Sequence, residues 1–177
     1  MPPSRTVTEL SRLIRDVPDF PKPGILFKDV TPLLADGPAL RATIDHLAER
    51  AAARRPDLIV GIEARGFIFG AAVAAALGVG FAPVRKPGKL PYRTRRVSYA
   101  LEYGEGALDL HLDAVAQGAR ALIVDDLLAT GGTAAAAAEL VRQGGGEVVG
   151  CAFVIELAFL AGRARLAPLA VDALIEY

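Results

Sequence analysis

Few folds accommodate the run Ala121-Leu122-Ile123-Val124-Asp125-Asp126-Leu127-Leu128-Ala129-Thr130-Gly131-Gly132-Thr133, followed directly by the alanines Ala134 to Ala138. Its first four residues are a short, partly β-branched apolar run of the kind buried inside parallel sheets. From Ala134 to Gln143 good helix formers dominate, until Gly144-Gly145-Gly146 stops them. Strand followed by helix predicts a connecting loop that carries two adjacent carboxylates and a Thr-Gly-Gly-Thr turn. At a helix N-terminus such a loop offers unpaired backbone N–H groups, two hydroxyls and the positive end of a dipole. That is a phosphate cradle. No lysine follows the glycines as a Walker A loop requires, and the spacing is not that of a dinucleotide fingerprint. Asp125 and Asp126 would repel a bare phosphate, so they should face hydrogen-bond donors or a cation. Phosphate on the turn with hydroxyls on the carboxylates describes a ribose 5-phosphate.

A chain of 177 residues fits one domain with a real core. Lysine plus arginine equals aspartate plus glutamate at 20 each, which argues against a general nucleic-acid binder. The single cysteine, Cys151, lies in an apolar run and reads as a small buried hydrophobe, with no disulfide framework within the chain. No signal peptide opens the sequence, so a cytoplasmic protein is expected. Gly66 to Val84 carries no charge and is long enough for a membrane span. Its glycines and Pro83 instead divide it into a helix over 67–77, a turn at 78–80 and a strand over 81–85, and no membrane partner is expected.

Strands alternate with helices along most of the chain. Thr6 to Glu9 reads as a capping box, with Leu10, Leu13, Ile14 and Val17 on one helical face. Three prolines between Pro18 and Gly24 break that helix, and residues 25–30 form an extended piece ended by Thr31-Pro32. A helix opening at Gly37-Pro38 turns Leu40, Ile44, Leu47 and Ala51 inward, with His46 on its flank. Core strands follow at 58–62, 81–85, 121–124, 147–155 and 171–175, with a further helix near 158–166. Pro87 to Arg96 reads as a long loop, Ser98 to Tyr103 as a strand, and His111 as structural. This pattern predicts an α/β fold, a mainly parallel sheet flanked by helices, with ligands beyond the carboxyl ends of the strands. Residues 1–35 look like a small cap on a core formed by 36–177, within a single domain 1–177.

Other stretches carry chemistry. Glu63-Ala64-Arg65-Gly66 follows the first core strand, where arginine beside glycine suits a diphosphate clamp. Arg85 to Arg96 holds Arg85, Lys86, Lys89, Arg93, Arg95 and Arg96 with no acid. A cationic loop of that length reads as a solvated charge run, an RNA contact or a lid for an anionic substrate. Leu101-Glu102-Tyr103-Gly104 closes the same segment.

The 121–133 run resembles the phosphoribosyl-pyrophosphate signature of the type I phosphoribosyltransferases. Phe20 to Asp29, Glu63 to Phe67, Arg85 to Pro91 and Leu101 to Gly104 resemble, in order, segments of the adenine phosphoribosyltransferases. Residues 92–97 follow no family pattern. The resemblance implies transfer of a 5-phosphoribosyl group from phosphoribosyl pyrophosphate to adenine, giving AMP and pyrophosphate, in a homodimer that works with magnesium. It implies a cis peptide at Glu63-Ala64. It places the 5-phosphate on Ala129, Thr130, Gly131, Gly132 and Thr133, and the ribose on Asp125 and Asp126. Arg65, Arg85, Lys86 and Lys89 would take the diphosphate, and magnesium would be held mainly by substrate and water rather than by direct protein ligands. Leu26, Phe27, Lys28 and Leu127 would bind adenine, with Phe27 and Leu127 stacking on it. Glu102 and Arg65 are the expected catalytic residues, with Tyr103 on a lid over 86–103. Transferases for hypoxanthine, xanthine or orotate, and a nucleic-acid-binding sensor built on the same site, are the competing readings.

Overall fold

The computed structural model describes residues 5–100 and 105–177. Helix α1 (Val7–Ser11) begins with the expected capping box: the Glu9 N–H donates to Thr6 Oγ1 at 3.3 Å and the Thr6 N–H donates back to Glu9 Oε2 at 2.7 Å. The helix is shorter than its apolar periodicity suggests. Arg15–Pro18 forms strand β1, antiparallel to β2 (Leu26–Asp29), so Val17 sits opposite Phe27 rather than on a helical face. Pairing across this ladder overrides the helical pattern, helped by the ion pairs Arg15–Asp29 at 2.7 Å and Lys28–Asp16 at 2.6 Å. A short helix α2 (Thr31–Ala35), which begins at the expected break Thr31-Pro32, leads to α3 (Gly37–Ala52), capped by Asp36.

The body is a five-stranded parallel sheet built from β3 (Leu58–Ile62), β4 (Gly80–Val84), β7 (Arg120–Leu128), β8 (Glu147–Glu156) and β9 (Val171–Glu176), in the order β4-β3-β7-β8-β9. The hydrophobic run of β7 lies in its middle, where both faces are covered. One face sends Ile59, Leu122, Val124, Ala152 and Val154 into a core with α3 and with α4 (Gly66–Leu77), which also takes in Leu10 and Leu33 from the N-terminal segment. The other sends Val60, Ile62, Ile123, Cys151 and Phe153 against α5 (Gly132–Gln143). The charge-free stretch 66–84 is α4, a left-handed turn at Gly78 and β4; among the described residues no helix is long and apolar enough to cross a membrane.

Two further expectations change. Residues 94–96 are not loop: β5 (Thr94–Ala100) pairs antiparallel with β6 (Glu105–His111), which supplies Leu108 and Leu110 to the second core. Alternation that was unreadable among arginines comes from one face packing and the other meeting solvent. After β8 a turn of 3-10 helix (Ala158–Leu160) and a short α6 (Gly162–Leu166) replace the single expected helix, separated by Ala161 in the left-handed region at φ 51°.

Helix α4 starts close against β7. A Cβ added at Gly66 would stand 2.7 Å from the side-chain Asp125 Oδ1, and 2.9 Å from the Val124 carbonyl oxygen and 3.1 Å from Asp125 Cα, backbone atoms of the sheet. Gly66→Ala should therefore lower stability by about 1–3 kcal/mol, the usual result of overpacking; urea unfolding measures it, and an unchanged midpoint would show that α4 can move away freely.

Candidate active site

Strand β7 outlasts its neighbour. Its pairing with β3 ends at Gly61 and Val124, whereas its pairing with β8 continues through Leu128 and Glu156. Asp125 and Asp126 therefore sit on the strand itself rather than in the loop that the sequence suggested, and only Ala129 to Gly131 separate β7 from α5. On the side that β3 vacates runs the Glu63–Arg65 segment, with a cis peptide between Glu63 and Ala64 as the resemblance implied.

A cavity of about 860 Å³ opens between these elements. Glu63, Ala64 and Arg65 form one wall, Asp125, Asp126, Leu127 and Thr133 another, and Lys86, Pro87, Ser98, Tyr99 and 106–108 close it from the β5–β6 side. A smaller pocket of about 80 Å³ continues from it, lined by Asp125, the 127–134 turn and Phe153. Gly131 takes φ +80° there, and α5 begins at the next residue, so backbone N–H groups and the helix dipole converge on the recess.

A phosphoribosyl transferase domain model matches residues 32–170. An adenine phosphoribosyltransferase of Sorangium cellulosum is 61% identical over 173 residues, 98% of this chain and 86% of that protein. The chain belongs to the adenine phosphoribosyltransferase family. The crystal structure of the adenine phosphoribosyltransferase of Thermoanaerobacter pseudethanolicus has a TM-score of 0.95 to it at 52% identity, covering 97% of this chain and 100% of that one. That of the Saccharomyces cerevisiae enzyme, complexed with an imino-altritol bisphosphate and adenine, has a TM-score of 0.89 at 42% identity, covering 95% and 97%.

In this family member the two carboxylates have different surroundings. Asp126 is buried and accepts from Arg65 Nε at 2.5 Å. Asp125 accepts the Asp126 N–H at 2.9 Å, and burial, then the neighbouring Asp126 charge, push its carboxyl well above the ordinary range. Among the described residues no group of three or more histidine, cysteine, aspartate or glutamate side chains could hold a metal. Asp125 and Asp126 are two carboxylates rather than three, a donor set that fits only a cation bringing further oxygen ligands of its own.

The basic segment finds its acids far away in sequence. Glu63 accepts from Arg85 Nη2 at 3.2 Å and from the Lys86 N–H at 3.0 Å, and stands 3.6 Å from Lys89 Nζ. Asp109, 2% exposed, holds Arg96 at 2.7 and 2.9 Å, which keeps its carboxyl below the usual value. Of Arg85, Lys86 and Lys89, only Lys86 lines the large cavity. Leu127 lines it too, while the Phe27 ring stands beside it, 5.1 Å from the Arg65 guanidinium and 5.1 Å from the Phe20 ring. Leu26 is exposed, and the Lys28 ammonium turns away to Asp16 and to the Tyr177 ring, 3.8 Å from its centroid. Glu102 and Tyr103 lie outside the described residues. Tyr99 was not expected: its hydroxyl accepts from Thr133 Oγ1 at 3.3 Å across the cavity. No spacing in the sequence links residues 99 and 133; the packing of α5 on β5 does.

The raised Asp125 carboxyl has a measurable sign. A group whose folded-state pKa is raised gives stability that is complete below its unfolded value, about 3.9 for aspartate, and is lost as pH rises through the folded value. Asp125→Asn stays neutral at every pH. The variant should gain in unfolding midpoint relative to the parent as pH rises above about 4; parallel curves across a pH series would refute the shift.

Proposed function

We propose that this chain catalyses transfer of the 5-phosphoribosyl group from phosphoribosyl pyrophosphate to N9 of adenine, yielding AMP and pyrophosphate, a purine-salvage reaction. The observation that carries it is the joining of a carboxylate pair and an arginine-bearing loop in one cavity with a glycine turn at a helix N-terminus in the recess that continues from it, in a chain of this family. The Ala129 to Thr133 turn receives the 5-phosphate through backbone N–H groups and the Thr130 and Thr133 hydroxyls. Asp125 and Asp126 take the ribose hydroxyls. Arg65, whose terminal nitrogens make no hydrogen bond among the described residues, takes diphosphate oxygens together with Lys86, while Arg85 and Lys89 add positive potential from beside Glu63.

The N9–C1′ bond forms as the bond from C1′ to the diphosphate oxygen breaks, and the adenine ring gives up one proton. Positive charge accumulates on the ribosyl carbon and negative charge on the leaving diphosphate, so the cations fixed at the loop lower the barrier. Magnesium, carried by diphosphate oxygens and water, would neutralise further charge on the leaving group. Glu102 handles the proton near N7, and the 86–103 segment, with Tyr103, excludes water from the reacting carbon. Glu102→Gln should then lower kcat by about 10²–10⁴-fold while adenine affinity stays within a few-fold. Steady-state kinetics decide; weaker adenine binding at unchanged kcat would move Glu102 to base recognition.

Adenine enters between Phe27 and Leu127 with its edge toward the backbone of Leu26 to Lys28. The β1–β2 pair is only two-stranded among the described residues, which leaves one edge of β2 without a strand partner. Backbone polarity cannot be reversed by a side-chain rotation. Adenine presents an N6 donor and an N1 acceptor, and hypoxanthine reverses both. Residues 1–35 act as the hood over the base, 36–177 as the catalytic body, within one domain. An apolar groove between α3 and α4, where Ile68 is 43% exposed, supports a homodimer, and a lone, free and buried Cys151 fits a reducing compartment such as the cytoplasm. A base panel following pyrophosphate release tests the reading: kcat/KM for adenine should exceed that for hypoxanthine and guanine by at least about 10³-fold. Comparable use of hypoxanthine would overturn it.

A further inference from the structure

A phosphate site made largely of backbone N–H groups, with only two short hydroxyl side chains beside them, has little freedom to adjust itself, so its geometry must be imposed by whatever the turn rests on. Behind the turn lies a charged pair to which the reaction above gives no role. Glu156 is the last residue of β8, 3% exposed, and is the register partner of Leu128, where β7 gives way to the turn. Arg163 of α6 donates from Nε to both of its carboxylate oxygens at 2.7 and 2.8 Å, and from Nη1 to the Val171 carbonyl at 2.6 Å. One guanidinium thus ties the end of β8 to the start of β9 and fixes the residue before it, Gly162.

Gly162 meets the turn backbone to backbone. A Cβ on it would run into the Ala129 carbonyl oxygen and come within 3.0 Å of Leu128 Cδ1. From the other side, a Cβ on Gly131 would stand 2.5 Å from the Gly162 carbonyl oxygen. The Leu157 N–H donates to the Leu128 carbonyl at 2.9 Å and closes the base of the same loop. The 129–131 turn therefore has a wall on its outer side, and the wall is held by the ion pair.

We propose that Glu156 and Arg163 are positioning residues for the 5-phosphate site, pinning Gly162 against the Ala129–Gly131 turn so that its N–H groups stay aimed into the recess. This rests on the reading that the turn receives the 5-phosphate. Neither side chain touches substrate; both act through Gly162. Loss of the bidentate geometry would let the wall and the turn relax together, and small misplacements at a binding turn are costly.

The test compares Glu156→Gln, Arg163→Lys and Thr133→Val with the parent, measuring kcat, both KM values, the dissociation constant of phosphoribosyl pyrophosphate and the thermal midpoint. Glu156→Gln should raise KM and the dissociation constant for phosphoribosyl pyrophosphate by about tenfold to a hundredfold. The KM for adenine should hold within about twofold, and Arg163→Lys should fall between the parent and Glu156→Gln. Arg163→Lys keeps the charge and serves if Glu156→Gln does not fold. A lowered midpoint with unchanged phosphoribosyl-pyrophosphate affinity in both would overturn the proposal and leave the pair a plain β8–β9 tie. If Thr133→Val weakens that affinity while the pair's variants do not, the positioning role fails and the phosphate turn stands. If none of the three weakens it, the phosphate assignment falls as well.

Discussion

Everything at the site depends on β7 running past β3. For its first part the strand has a parallel partner on each side; from Asp125 to Leu128 it has one, on the β8 side. A strand edge left open inside a sheet must be satisfied by something other than a ladder. Here the space is bounded by the Glu63–Arg65 segment and by the α4 N-terminus, whose Gly66 approaches Asp125 as no residue with a side chain could. The cavity is what remains between the open edge and the β5–β6 hairpin. Ligand sites beyond the carboxyl ends of parallel strands arise for this reason.

The charges around that opening are arranged before any ligand arrives. Glu63, Asp109 and Asp126 each hold cations contributed by other parts of the chain, and so fix arginines and lysines that would otherwise sample many rotamers. Such pairs add little stability when exposed. Their use is orientation: a guanidinium held through one nitrogen keeps the others in place for an incoming anion. Electrostatic help of this kind costs no rearrangement during the reaction.

Local rules made the body of the fold readable. Core strands were visible as short apolar runs, α5 as an alanine helix stopped by glycines, and α1 by its capping box. What failed were the stretches decided by partners distant in sequence. Val17 joined a strand because Phe27 lay opposite it, and Thr94 to Arg96 became β5 because β6 offered a ladder; neither cause leaves a mark in a short window. The same holds for the site. Its carboxylates, arginine loop and turn stood out as motifs, but the Glu63 and Asp109 cation partners and the Tyr99–Thr133 contact join residues that only the folded chain brings together.

The strand order has a consequence for how this chain reaches its native state. The sheet is centred on β7, yet β3 and β4 leave the ribosome well before it; Leu58 can pair with Gly80 on one edge, but its other edge waits for Ala121. Until then the strands made first expose an apolar edge and face with nothing to cover them, and the intervening β5–β6 hairpin must form or wait. Parallel pairing across so long a loop is slow, and the period before it is when chains associate wrongly. For a sheet of this order, the stage most open to such association is a chain that has passed β4 and not yet delivered β7.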